Sequence, residues 1–300
     1  MRALRLAGPR QATIETVPQP EPGPGDVVVR VKACGVCASD LNAWCGVPGI
    51  DYPLPDGAPG HEVWGELVET GQTVTGLVWN GLADYAVARP EHLVTLGPPF
   101  DRAPLLGEPL ACAMNVVRRA AIRPGERVAL VGFGYLAALL AQLLPAHTAG
   151  WIALARREES RALALRLGAE AAYDFAAVPA SLWDSLPVVI EAAGVQHTLD
   201  YATWLTGYGG RLVIAGYHAD GPRTVNLQSW NWKGIDVINA HERQPQVSVD
   251  ALRAALGVVE ERRLTLDRLL SHHFGLEDSV AAFAAAESHP AGFIKAVVHP

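Results

Sequence analysis

Cysteine is scarce in this chain, four in 300 residues, and so are long apolar runs and clusters of positive charge. Four cysteines in a chain of this size do not make a disulfide scaffold, and a reducing cytoplasm is the expected compartment. The opening Met1-Arg2-Ala3-Leu4 leads into strand-like sequence without the apolar core of a signal peptide. The most apolar stretch, Val128 to Leu144, is broken by Gly132 and Gly134. A membrane span needs ~20 apolar residues in one element, so this stretch reads as strand, turn and buried helix. With a net charge of -7 and no Lys/Arg run, no surface suits nucleic acid or an anionic membrane. A small molecule is the expected partner.

What is present is half apolar by composition, enough for one large domain or two. After a Pro-rich link at Pro18 to Pro24, Asp26 to Ala33 alternates with the period of a half-buried strand. A turn is expected at Cys34-Gly35, and Ser39 or Asp40 is placed to cap a short helix. Turn residues from Pro48 to Gly60 then deliver the chain to His61 through a loop. Gly60 is read as a tight turn ahead of His61, and Gly65 and Gly71 as bulge or bend positions.

Cys37, His61, Glu62 and Glu108 are a thiol, an imidazole and two carboxylates that can converge on one metal ion. Zinc takes these donors, and a catalytic site uses three of them while leaving one position to water or substrate. Cys34 and Cys37 are also spaced as a redox pair, but no thioredoxin-like βαβ pattern surrounds them. Cys34, Cys45 and Cys112 are expected to be small buried hydrophobes.

The middle of the chain has another signature. Arg127 to Val131 is a buried-strand run, and Gly132-Phe133-Gly134-Tyr135-Leu136-Ala137 opens an apolar helix. Strand, glycine turn and helix in this order are what dinucleotide binding requires, with Ala137 supplying the small third position. Further strands are expected at Trp151 to Ala155, Val188 to Ile190, Arg211 to Ala215 and Ile235 to Ile238. The helix between the first two of these covers Glu159 to Leu167. Alternation of this kind predicts a doubly wound parallel sheet of the Rossmann type. An acid is normally found about twenty residues past the glycines to bind a ribose hydroxyl, whereas arginine accommodates a 2′-phosphate. Here Ala155-Arg156-Arg157 stands at that place, so NADP is expected over NAD, the alternative being a solvated basic turn.

The uninterrupted run Gly60-His61-Glu62-x-x-Gly65-x5-Gly71-x-x-Val74 resembles the zinc-containing alcohol dehydrogenases of the medium-chain dehydrogenase/reductase superfamily. Cys34 to Asp40 resembles that family's first zinc-ligand segment, Gly107-Glu108-Pro109-Leu110 the segment carrying a Glu ligand in its polyol branch, and Glu191-Ala192-Ala193-Gly194 a cofactor-side loop. The resemblance implies a GroES-like β-rich catalytic domain, residues 1–116 and 243–300, with a Rossmann domain, residues 117–242, inserted. It implies catalytic zinc on Cys37, His61 and Glu108, with Glu62 beside it as an alternate ligand. Ser39 would bond the substrate oxygen, and Gly132, Gly134, Tyr135, Leu136, Ala137, Arg156, Arg157 and Gly194 would bind cofactor. The implied reaction is zinc-dependent hydride transfer between NADP and a polyol or sugar-derived alcohol. Rival readings are a reductase of C=C or C=N bonds and a silent dinucleotide-binding relative. A homodimer or homotetramer is implied.

Two departures from the family narrow the expectation. No cysteine occurs between Thr70 and His92, so no structural zinc is expected. Asn42 stands five residues after Cys37, where a proton-relaying His is usual, and it cannot titrate. Toward the C-terminus a helix from Val249 to Arg262, a strand from Leu269 to Phe274, a helix from Leu276 to Ala286 and a closing strand from Gly292 to His299 are expected. His272, His273, His289 and His299 invite a second metal site but lack paired ligand spacing and are read as solvated surface residues.

Overall fold

The computed structural model describes residues 1–98, 100–264 and 266–300. The chain divides into two compact units, residues Met1–Ala111 with Arg243–Pro300, and residues Cys112–Glu242.

The first unit begins with an antiparallel hairpin, β1 (Arg2–Gly8) and β2 (Gln11–Thr16). It continues through β3 (Val27–Gly35), the short helix α1 (Asp40–Cys45), β4 (Glu62–Leu67), β5 (Thr73–Gly76), β6 (Tyr85–Ala88) and β7 (Leu93–Thr95). The expected turn at Cys34-Gly35 is absent, because β3 runs through both residues and pairs them with Val63 and Glu62 of β4. Gly65 accompanies a register shift between Val31 and Ala33, and a Cβ there would lie 2.3 Å from the Arg30 carbonyl oxygen. A side chain would part the two strands, so the bulge needs glycine.

Helix α2 (Gly107–Ala120) carries the chain into the second unit. There β8 (Val128–Val131), α3 (Tyr135–Leu143), β9 (Trp151–Leu154), α4 (Glu158–Arg166), β10 (Ala171–Tyr173), β11 (Leu186–Glu191), α5 (Gln196–Leu205), β12 (Thr206–Ile214), α6 (Leu227–Lys233) and β13 (Asp236–Asn239) follow. The six strands are all parallel, in the order β10-β9-β8-β11-β12-β13. This is the doubly wound nucleotide-binding order, and its direction reverses between β8 and β11. Every residue of β8 and β9 is buried, which is why these strands read as unbroken apolar runs. Strand β10 had no such signal in its three half-buried residues.

The chain then returns to the first unit with α7 (Pro245–Arg262), β14 (His272–Gly275), α8 (Ser279–Ser288) and β15 (Ala296–His299). The latter two strands extend the sheet to β14-β15-β3-β4-β5-β7, with β6 also paired to β3. A core of Leu4, Leu6, Val29, Val31, Trp44 and Phe283 lies against it, the last two rings stacked at 5.0 Å. Two of the C-terminal histidines meet: His273 Nδ1 lies 2.9 Å from His299 Nε2. Among the described residues no helix is long and apolar enough to cross a membrane.

Candidate active site

His61 enters directly before β4, and the glycine preceding it is dictated by packing. A Cβ at Gly60 would lie 2.7 Å from Leu82 Cγ and 2.9 Å from Cys34 Sγ, whereas its φ is not left-handed. The expected tight turn is therefore corrected to a close approach of neighbouring side chains. Cys37 lies in the turn between β3 and α1. One donor atom each from Cys37, His61 and Glu62 lies within 4.8 Å of the others. Glu108 is outside this group, in the first turn of α2. That helix is tied to the strand after Glu62: the Gly107 amide donates to Thr75 Oγ1 (2.9 Å), which donates to the Val63 carbonyl (2.7 Å).

Asp40 organises two of the three donors. Its Oδ1 is 3.0 Å from His61 Nδ1, and its Oδ2 accepts from the Cys37 amide at 2.8 Å. The Pro59 carbonyl also lies 3.1 Å from Nδ1. A carbonyl only accepts, so Nδ1 carries a proton in either charge state, and Nε2 is the nitrogen that a metal would engage on displacing its proton. A carboxylate supporting an imidazole from behind in this way is a recurrent device at metal sites. Local sequence suggested only capping by Ser39 or Asp40, yet Ser39 occupies the N-cap without a side-chain capping bond. Burial opposes a charged His61, but Asp40 outweighs it and raises the imidazole pKa in the metal-free protein.

Glu62 is 1 % exposed and Lys295, from β15's approach, 5 %. Lys295 Nζ donates to Glu62 Oε1 at 2.6 Å and lies equally near Oε2, so both carboxylate oxygens face the ammonium. Burial works against the Lys295 charge, and the Glu62 carboxylate more than restores it. Gly35 makes room for this pair: a Cβ there would fall 2.1 Å from Glu62 Oε2 and 3.0 Å from Lys295 Cε. A thiol, an imidazole and a buried carboxylate form a donor set that fits zinc. The Trp79 ring, 63 % exposed, stands 5.6 Å from the His61 ring and borders the group.

The other cysteines divide. Cys34 is fully buried, and burial with the nearby Asp40 pushes its thiol up to about 12, the environment of an inert packing cysteine. Cys45 is exposed rather than buried: it is the last residue of α1, and its thiol contacts the exposed Arg10 and Glu287. Cys112 is half-buried.

In the second unit Gly132 has φ +85°, and a Cβ would lie 2.6 Å from Ala193 Cβ. Gly134 is the N-cap of α3, makes no side-chain cap and has nothing within 4 Å of a Cβ position. Ala137 is fully buried, with Tyr135 and Leu136 half-buried in the first turn. An open glycine at an uncapped helix start fits a pyrophosphate. Arg156 is exposed at the end of β9, beside half-buried Arg157, whose pKa burial lowers. Arg161 pins this turn by donating to the carbonyls of Ala155 (2.9 Å) and Arg156 (2.7 Å) and to Asp174 (3.0 Å). Gly194 has φ +74° in the loop after β11.

Residues 23–94 match the family described as alcohol dehydrogenase GroES-like domain, and residues 132–256 the family described as zinc-binding dehydrogenase. L-galactonate-5-dehydrogenase of Escherichia coli is 25% identical over 319 residues, 91% of this chain and 92% of its own length. A Mycobacterium tuberculosis protein described as an alcohol dehydrogenase, AdhA, is 30% identical over 277 residues, 74% of this chain and 75% of its own. The structure of a zinc-binding dehydrogenase from Sinorhizobium meliloti bound to NADP superposes with a TM-score of 0.85 at 26% identity, covering 100% of this chain and 99% of that one.

Proposed function

Because this chain belongs to the zinc-containing alcohol dehydrogenases of the medium-chain dehydrogenase/reductase superfamily, we propose that it oxidises a sugar-derived or polyol secondary alcohol with NADP. The observation that carries this reading is the convergence of Cys37, His61 and the buried Glu62 on one point. Zinc, when bound, supplies a Lewis acid that lowers the pKa of an alcohol and so readies it to release hydride.

The chain's own residues do the rest. Cys37, His61 and Glu62 hold the one metal, with Glu108 as the alternate carboxylate; Asp40 keeps His61 Nδ1 protonated and its Nε2 turned to the site. Ser39, directly before α1, takes the proton from the substrate hydroxyl, and Asn42 in the same helix cannot carry it onward by titration. Gly132, Gly134, Tyr135, Leu136 and Ala137 receive the pyrophosphate, Gly194 borders the dinucleotide, and Arg156 with Arg157 binds the 2′-phosphate. The NADP-bound S. meliloti structure supports the cofactor, and the galactonate-oxidising E. coli relative supports the substrate class.

A screen of polyols and sugar acids with NADP, run beside metal analysis, tests the reading. NADP-linked oxidation and about one zinc per chain are expected. Activity confined to conjugated C=C acceptors, or protein that never takes up zinc, would refute it.

A further inference from the structure

Strands β11 and β12 lie side by side, and the loops that follow them are joined by a hydrogen-bonded series. Glu191, the last residue of β11, is fully buried. Its Oε1 accepts from the amides of Ala193 (2.8 Å) and Gly194 (2.7 Å) and from Thr198 Oγ1 (2.6 Å). Its Oε2 is 3.1 Å from His218 Nε2, and His218 Nδ1 accepts from Arg223 Nε at 2.8 Å. A guanidinium only donates, so Nδ1 is bare and Nε2 carries the proton: His218 is a neutral imidazole of defined tautomer. Arg223 returns to the first loop by donating to the Gly194 carbonyl (2.8 Å), and it also donates to the Asp220 carboxylate.

The two loops interlock at their glycines. A Cβ at Gly216 would lie 2.2 Å from Gly194 N and 2.7 Å from Glu191 Oε2, and one at Gly194 would lie 2.6 Å from the Tyr217 carbonyl oxygen. Ala193, held by Glu191, is in turn the residue against which the fingerprint glycine Gly132 closes. In a doubly wound sheet the ligand lies beyond the carboxyl ends of the strands at the switch point, here β8 and β11, one mononucleotide to each half. Arg156, after β9, belongs to the adenosine half. The loops after β11 and β12 belong to the other.

We propose that Arg223, His218 and Glu191 form a brace that shapes the nicotinamide half of the dinucleotide site. His218 and Arg223 are thus positioning residues, acting through the backbone at Ala193 and Gly194. Without His218, Oε2 of the buried Glu191 loses its hydrogen bond and the second loop is no longer tied to the first. The inference rests on the reading of this unit as an NADP site.

Fluorescence titration of zinc-loaded protein with NADPH, and calorimetric titration with 2′,5′-ADP, which lacks the nicotinamide, separate the possibilities. His218→Leu and Arg223→Met should each weaken NADPH binding roughly tenfold. Affinity for 2′,5′-ADP and zinc content should stay unchanged. His218→Gln can donate and accept at once, so it should recover most of the loss. NADPH binding equal to wild type in both His218→Leu and Arg223→Met, or an equal loss of both ligands, would overturn the brace. Wild-type protein that binds neither ligand would overturn the NADP reading and the brace with it.

Discussion

Lys295 and Glu62 form a buried ion pair at 2.6 Å across 233 positions of sequence. It joins the approach to the closing strand β15 to the first residue of β4, beside the proposed metal ligands. Removing one partner of a buried pair leaves the other charge uncompensated. Lys295→Met should lower the stability of the zinc-free protein by about 3–5 kcal/mol, read from urea denaturation. Zinc should then raise the melting temperature of the variant more than that of wild type, since it is the remaining positive partner for Glu62. Equal zinc-induced shifts would show that the pair is independent of the metal.

Asp40 bridges Cys37 and His61 through its two carboxylate oxygens. Asp40→Asn should reduce zinc affinity by roughly 10- to 100-fold. Competition with a chromophoric chelator measures this. An unchanged affinity would mean that the carboxylate charge of Asp40 is not needed to orient the imidazole.

Cys37→Ala removes the thiolate. Zinc should be lost and turnover should fall on the order of a thousandfold, while NADPH still binds, because the fingerprint residues all lie in the other unit. Metal analysis and a fluorescence titration on the same sample decide it; full zinc occupancy in the variant would contradict the assignment.

Arg156 is exposed where NAD-specific sites hold an acid. Arg156→Ala should weaken NADPH binding roughly tenfold or more and leave NADH unaffected, as judged by parallel titrations. Equal losses for both cofactors would remove Arg156 from 2′-phosphate recognition.

Acid stability provides a prediction outside the site. Partial burial would raise the Asp84 pKa, but hydrogen bonds from the Arg2 side chain and amide outweigh it and hold the carboxyl below its ordinary value. The folded value lies below the unfolded one, so the stabilisation is complete above about pH 4 and is lost as pH falls through the folded value. Asp84→Asn should therefore lose less stability than wild type between pH 5 and pH 3 in urea titrations. Parallel losses would exclude the pair.

Much of the second unit was legible because its signals are local. β8 and β9 are buried on both faces and read as apolar runs, and the glycine turn between β8 and α3 has its own spacing. The three residues of β10 offered neither run nor alternation. In the first unit Gly35 and Gly60 were visible as glycines, but their reasons were not turns. Each makes room for atoms of residues distant in sequence, Glu62 and Lys295 in one case and Leu82 and Cys34 in the other.

The sequence by itself determined the donor types Cys37, His61 and Glu62, the fingerprint from Gly132 to Ala137, and the arginines in place of an acid at the end of β9. These follow from short-range spacing, which backbone geometry and the burial period impose on neighbouring residues. Only the tertiary structure decided that Glu62 joins Cys37 and His61 in one tight group, that Asp40 serves His61 rather than a helix end, and that Lys295 and His218 complete buried carboxylates. A buried charge selects its partner by distance through space, and no periodicity along the chain encodes that distance.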